Sequence, residues 1–175
     1  MKRHGLLDLN EAVQHPGAKL TFEIETGLVD EADIDLLQPV SGALEAKSTG
    51  NILLLKGDYR ADCTLECARC GEPLNQKVNF SMADEFLVEG IPSGYGTGDF
   101  AVVVEEEDFP LFTKNAIDID AYVRQGLLVN LPIQPLCEFG WEGDCPNASK
   151  KTEGESTEGH PALQRLREMV VPEED

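Results

Sequence analysis

The sequence predicts an α+β fold: mainly antiparallel β-sheet, a meander with one long central hairpin, covered by one amphipathic helix and followed by a polar C-terminal tail. Three observations predict it. From Leu53 to Cys67 the odd positions Leu53, Leu55, Tyr59, Ala61, Cys63, Leu65 and Cys67 are apolar, while Lys56, Asp58, Arg60, Asp62, Thr64 and Glu66 between them are polar. That alternation is the period of a half-buried strand. It resumes after a cysteine turn, with Leu74, Val78, Phe80, Met82 and Phe86 on one face and Asn75, Lys77, Asn79, Ser81 and Glu85 on the other, so the two runs pair as a hairpin over Leu53 to Phe86. Near residue 119 the period changes: Ile119, Tyr122, Val123, Gly126 and Leu127 fall on one helical stripe, Asp118 or Asp120 can cap its start, and Pro132 stops it.

Taken in order, Leu6 to Val13 reads as a short strand or turn, and Lys19 to Thr26 as a strand in which Leu20, Phe22 and Ile24 alternate with Thr21, Glu23 and Glu25. Val40, Gly42, Leu44 and Ala46 give the next strand, and Ser48 to Asn51 supplies turn chemistry before the hairpin. Asp84 to Asp108 holds acidic residues and no Lys or Arg. Its glycines at 90, 94, 96 and 98 predict a mobile loop, with a strand from Phe100 to Val104 after it. Beyond the helix, Leu131-Pro-Ile-Gln-Pro-Leu136 must run extended, because each proline biases its predecessor away from α. Residues 1–146 are therefore expected as a single domain. From Asn147 the composition becomes polar, and residues 147–175 are expected as a flexible linker and a short helix ending near Val170.

Composition bounds the function. In 175 residues, 41% hydrophobic and 27% charged, the net charge is -19. Binding to phosphate backbones is driven by Lys and Arg, so direct binding to bare RNA is disfavoured and a basic protein partner suits the chain better. The acidic stretch Glu23, Glu25, Asp30, Glu31, Asp33 and Asp35 reads first as a solvated face and second as a docking surface for such a partner. The N-terminus lacks the apolar run of a signal peptide, and no stretch approaches the ~20 apolar residues that span a bilayer. The expectation is a cytoplasmic protein with no membrane contact, in which five cysteines serve as metal ligands or core thiols rather than as a disulfide framework.

Two thiolates two residues apart, as in Cys67-Ala-Arg-Cys70, can point at one tetrahedral zinc with Zn–S near ~2.3 Å, and Gly71 is free to take the positive φ that such a turn needs. This is half a site. Cys63 lies four residues before Cys67 on the same strand, roughly 13 Å away at about 3.3 Å per residue, and is expected in the core. Cys137 and Cys145 remain to complete the site, and the extended segment after the helix is expected to deliver them to the turn. The alternatives are unliganded thiols, or a redox-active pair, which would ordinarily sit at a helix N-terminus rather than on a hairpin. His4, His15 and His160 are isolated and offer no open catalytic zinc. Arg69, Lys77 and Trp141 could touch RNA, but Trp141 beside Cys137 is better read as packing over the metal site.

Cys67-x-x-Cys70 on a hairpin, Phe109-Pro-Leu111, Ile117-Asp-Ile119 opening a helix, Leu131-Pro132, Pro135-Leu136-Cys137, Gly143-x-Cys145-Pro146 and a late Pro-x-Leu-x-x-Leu resemble, in order and spacing, the YceD-like family of bacteria and plastids, over roughly Gly50 to Met169. The resemblance implies a part in accumulation of 23S ribosomal RNA and in large-subunit assembly, with no catalytic activity. Members with the fullest pattern carry four late cysteines. Trp141 and Ala148 stand at the second and fourth of those positions here, which leaves, with Cys63 set aside, the four cysteines that one closed zinc site needs. The expected function is a non-enzymatic ribosome-biogenesis factor with a structural Zn2+ on Cys67, Cys70, Cys137 and Cys145. Its expected partner is a basic ribosomal protein or a pre-ribosomal particle of the large subunit, with no small-molecule substrate. The alternative is a metal-stabilised or redox-responsive binding module unrelated to ribosomes.

Overall fold

The computed structural model describes residues 5–28, 34–93, 100–105 and 110–148. The fold is mostly antiparallel β-sheet with few helices, consistent with α+β. The chain divides into two compact units, residues 1–65 with 75–133 and residues 66–74 with 134–175.

Among the described residues the first unit holds two sheets. In the larger, β2 (Lys19–Thr26), β4 (Val40–Ser48), β5 (Ile52–Glu66), β6 (Pro73–Glu89) and β7 (Val102–Val104) are neighbours in that order, and the short β3 (Asp35–Leu36) pairs with the far end of β5. The meander is thus present, and β2 and β4 pair along their whole length from Lys19 opposite Lys47 to Thr26 opposite Val40. Along β5 and β6, Tyr59 stacks on Phe80, Asp58 accepts from Ser81, and the Cys63 thiol faces the carbonyl of Gln76. As one number rises the other falls, so the central hairpin is antiparallel. Its period of two becomes burial directly: Leu53, Leu55, Tyr59, Ala61 and Cys63 are buried from β5, and Val78, Phe80 and Val88 from β6.

The helix α2 (Ile119–Asn130) has the predicted limits, and the Asp118 carboxylate accepts from the Ala121 N–H at its start, leaving Asp120 to hydrogen-bond Thr26 instead. Its buried stripe is Ile119, Tyr122, Val123, Gly126 and Leu127. It lies on the inner face of β6, where the Tyr122 hydroxyl donates to Asp84 at 2.7 Å and a Cβ on Gly126 would stand 2.1 Å from the Met82 sulfur.

Three differences from expectation have local causes. The segment from Leu6 splits into β1 (Leu6–Asp8) and a second helix, α1 (Asn10–Gln14), which buries Ala12 and Val13. A second sheet of three short strands joins β1, β9 (Ala116–Asp118) and β8 (Phe112–Thr113). Strand β6 continues to Glu89, into the stretch expected as a loop, because Phe86 and Val88 keep the inward alternation. The glycine-rich tip at 94–99, the acidic run at 106–109, part of the acidic stretch at 29–33 and the tail from 149 lie outside the described residues, so the mobile loop and the C-terminal helix do too. Asn147 and Ala148, expected in the linker, continue a helical turn that begins at Pro146. Among the described residues no helix is long and apolar enough to cross a membrane.

Candidate metal centre

The second unit is built around thiols. After β5 the chain turns tightly: the Cys67 N–H donates to the Glu72 carbonyl, the Gly71 N–H donates to the Cys67 carbonyl at 2.8 Å, and Gly71 takes φ 72°, which a side chain would resist. This turn aims Cys67 and Cys70 the same way. Pro135 brings the later segment alongside, its carbonyl accepting from the Ala68 N–H at 2.8 Å, and the next residues carry Cys137. The sulfurs of Cys67, Cys70 and Cys137 all lie within 4.8 Å of one another. For comparison, an ~2.3 Å Zn–S bond in tetrahedral geometry sets sulfurs about 3.8 Å apart. Three close cysteines can hold a metal ion.

Cys145 is not one of those three but packs in the same buried cluster. It is 3% exposed, against 2% for Cys67 and 4% for Cys70, and its thiol interacts with those of Cys70 and Cys137. Leu74, Leu136 and Ala148 pack around the group and keep water from it. Trp141, expected to pack over these thiols, is 52% exposed.

Between Cys137 and Cys145 the loop is held by Arg69, whose guanidinium donates to the carbonyls of Gly140 at 2.9 Å and Gly143 at 2.7 Å. A residue considered for RNA contact is thereby engaged in ordering the late segment. Gly143 fits because a Cβ there would stand 2.3 Å from the Phe139 carbonyl oxygen.

Backbone N–H groups converge on the sulfurs. The Cys67 thiol is lowered to about 6, first by the N–H of Cys70 and then, against the cost of burial, by those of Arg69 and Cys137. At Cys70 the Glu72 N–H favours the thiolate, but burial and the shared protons of Cys67 and Cys145 outweigh it and raise the thiol to about 11. Burial opposes the Cys145 thiolate, yet the N–H groups of Ala148 and Asn147 bring it below the ordinary value. With the Cys67 and Cys145 thiolates favoured by backbone N–H groups and Arg69 turned to carbonyls, the sulfurs form a soft donor set of a kind that can hold a metal ion.

Cys63 stands apart. It is fully buried in the first unit, and burial followed by the charges of Asp62 and Asp35 raises its thiol. His15 is not part of the cluster, and His4 and His160 lie outside the described residues.

Residues 55–169 match the family model described as large ribosomal RNA subunit accumulation protein YceD. Among relatives, the chain is 25% identical over 180 residues to the uncharacterized proteins Rv2926c of Mycobacterium tuberculosis and Mb2951c of Mycobacterium bovis, covering 97% of this chain and 83% of theirs. No solved structure matches the chain.

Proposed function

The chain belongs to the YceD family of large ribosomal RNA subunit accumulation proteins, and from that premise we propose that it is a non-enzymatic ribosome-biogenesis factor supporting 23S rRNA accumulation and large-subunit assembly. The observation that carries the reading is the family match, which spans the hairpin, the helix and the late cysteines. Its place of action is the cytoplasm. Its partner is a basic ribosomal protein or a pre-ribosomal particle of the large subunit, since a net charge of -19 attracts cations and repels bare RNA.

Cys67, Cys70, Cys137 and Cys145 hold a structural zinc, which would close the late segment onto the hairpin turn. The convergence supports a metal over a redox pair, because a dithiol needs only two cysteines and here two more crowd against the first two. The long loop so closed costs only a logarithmic entropy, well below the free energy of zinc binding to thiolates. Protein purified without chelator should carry about one zinc per chain, as four tetrahedral ligands require.

Affinity purification of the tagged chain, with identification of bound protein and RNA at low and high salt, tests the partner. Large-subunit proteins should copurify at low salt and be lost as salt screens the exposed charges. Recovery of RNA alone, resistant to salt, would refute the reading.

A further inference from the structure

The outer face of the β6–β7 ribbon carries large apolar side chains in the open. Leu87 is 63% exposed and lies directly opposite Val104 in the antiparallel register, while Val102, opposite Glu89, and Phe100, also 63% exposed, extend the row. Elsewhere on β6 the same face is polar, with Asn75, Lys77, Asn79, Ser81 and Glu85. A contiguous exposed apolar row on a regular strand is the usual mark of a contact surface.

The row runs into a cavity of about 670 Å3 at the sheet edge, lined on its apolar side by Leu6, Phe100 and Val102. The polar groups behind it are already satisfied. Asn115 accepts from the Val103 N–H at 3.0 Å and donates to the Ala101 carbonyl at 3.0 Å, and Gln14 donates to the same carbonyl at 2.7 Å. Those amides occupy the outer edge of β7 as a further strand would, so the edge does not invite strand addition. What remains for an incoming molecule is side-chain surface.

Acidic groups border that surface. Glu85 and Glu89 flank Leu87 on β6 and are exposed, and Asp8 lines the cavity, with Lys114 the one basic lining residue among the described residues. We infer that this face seats a segment of a protein partner that bears both apolar side chains and Lys or Arg, the apolar groups resting on Leu87, Val104 and the cavity wall and the cations meeting Glu85 and Glu89. The inference rests on the reading that the chain works through a basic protein. RNA fits poorly, because its phosphates would face Glu85 and Glu89, and of Leu87, Phe100, Val102 and Val104 only Phe100 offers a plane on which a base can stack.

The test uses the full chain and short fluorescent peptides, one alternating Lys with Leu and one alternating Lys with Ser, read by anisotropy. The Lys–Leu peptide should bind about tenfold tighter, a difference of ~1.4 kcal/mol. Leu87→Thr with Val104→Thr, which keeps strand propensity, should remove that difference while thermal unfolding stays unchanged. Glu89→Lys should weaken binding more than Glu23→Lys, which alters net charge by the same amount on β2. Equal binding of the two peptides, or indifference to the double variant, would overturn the inference. So would a dimer of the unmutated chain that the double variant dissolves, since the face would then serve a second copy. Copurification of large-subunit proteins that survives the double variant sinks the docking face and leaves the ribosomal reading; peptide binding through this face without any such copurification does the reverse.

Discussion

Tyr59 is buried, and its hydroxyl finds no hydrogen-bond partner among the described residues. Burial first, then the charges of Asp84 and Asp58, push its pKa up from 10.0 to about 12. A buried hydroxyl without a partner costs about 1–3 kcal/mol, so Tyr59→Phe should be neutral or stabilising in urea unfolding, the reverse of most core substitutions. The pH dependence follows the same group. Its folded pKa lies above the unfolded one, so the neutral phenol favours the fold below pH 10 and that contribution is lost as pH rises through about 12. Tyr59→Phe should flatten this part of the alkaline decline, measured as unfolding free energy between those limits; an unchanged slope would show that other groups set it. Cys63, fully buried and away from the cluster, should tolerate Ala at a cost of ~1 kcal/mol with bound metal unchanged. Loss of metal from that variant would contradict its separation from the other four thiols.

Elements show how far pattern reading reaches. The long strands and α2 were legible because many residues repeat one period: β5 over 15 residues, and α2 over 12 with an aspartate at its start and a proline after its end. Strands β1, β8 and β9, of two or three residues each, are too short for a period to form. Their one signal was the turn Lys114-Asn115, where Lys114 takes φ 60° and Asn115 braces β7. At the candidate site the closeness of Cys67, Cys70 and Cys137 was legible, because two thiols two residues apart at a turn are half of a metal-binding pattern that later cysteines can complete. Arg69 was not, because its role depends on carbonyls more than seventy positions away, at Gly140 and Gly143. Arg69→Ala should therefore leave secondary structure intact yet speed zinc loss to a chelator, followed by a colorimetric zinc dye; an unchanged rate would show that the cysteines order the loop alone. On β4, Gly42 lies opposite Tyr59, and a Cβ there would stand 2.4 Å from the Asp58 carbonyl oxygen. Gly42→Ala should destabilise by about 1–3 kcal/mol in urea unfolding, as overpacking does.

At the scale of the whole molecule the dominant quantity is charge. A net charge of -19 accelerates encounter with basic partners and sorts them by sign, without specifying one. Reversing Glu105, Glu106, Glu107 and Asp108 should slow association with a basic partner more than it speeds release, by surface plasmon resonance at two salt concentrations; equal effects on both rates would place these residues inside the contact rather than at its approach. The family assignment ties this acidic protein to the large ribosomal RNA, and the most direct measurement is the ratio of 23S to 16S rRNA in cells depleted of it. The account predicts that the ratio falls and mature large subunits decline as the protein is lost, and that both recover when the intact chain is restored. An unchanged ratio with normal large subunits after full depletion would contradict it.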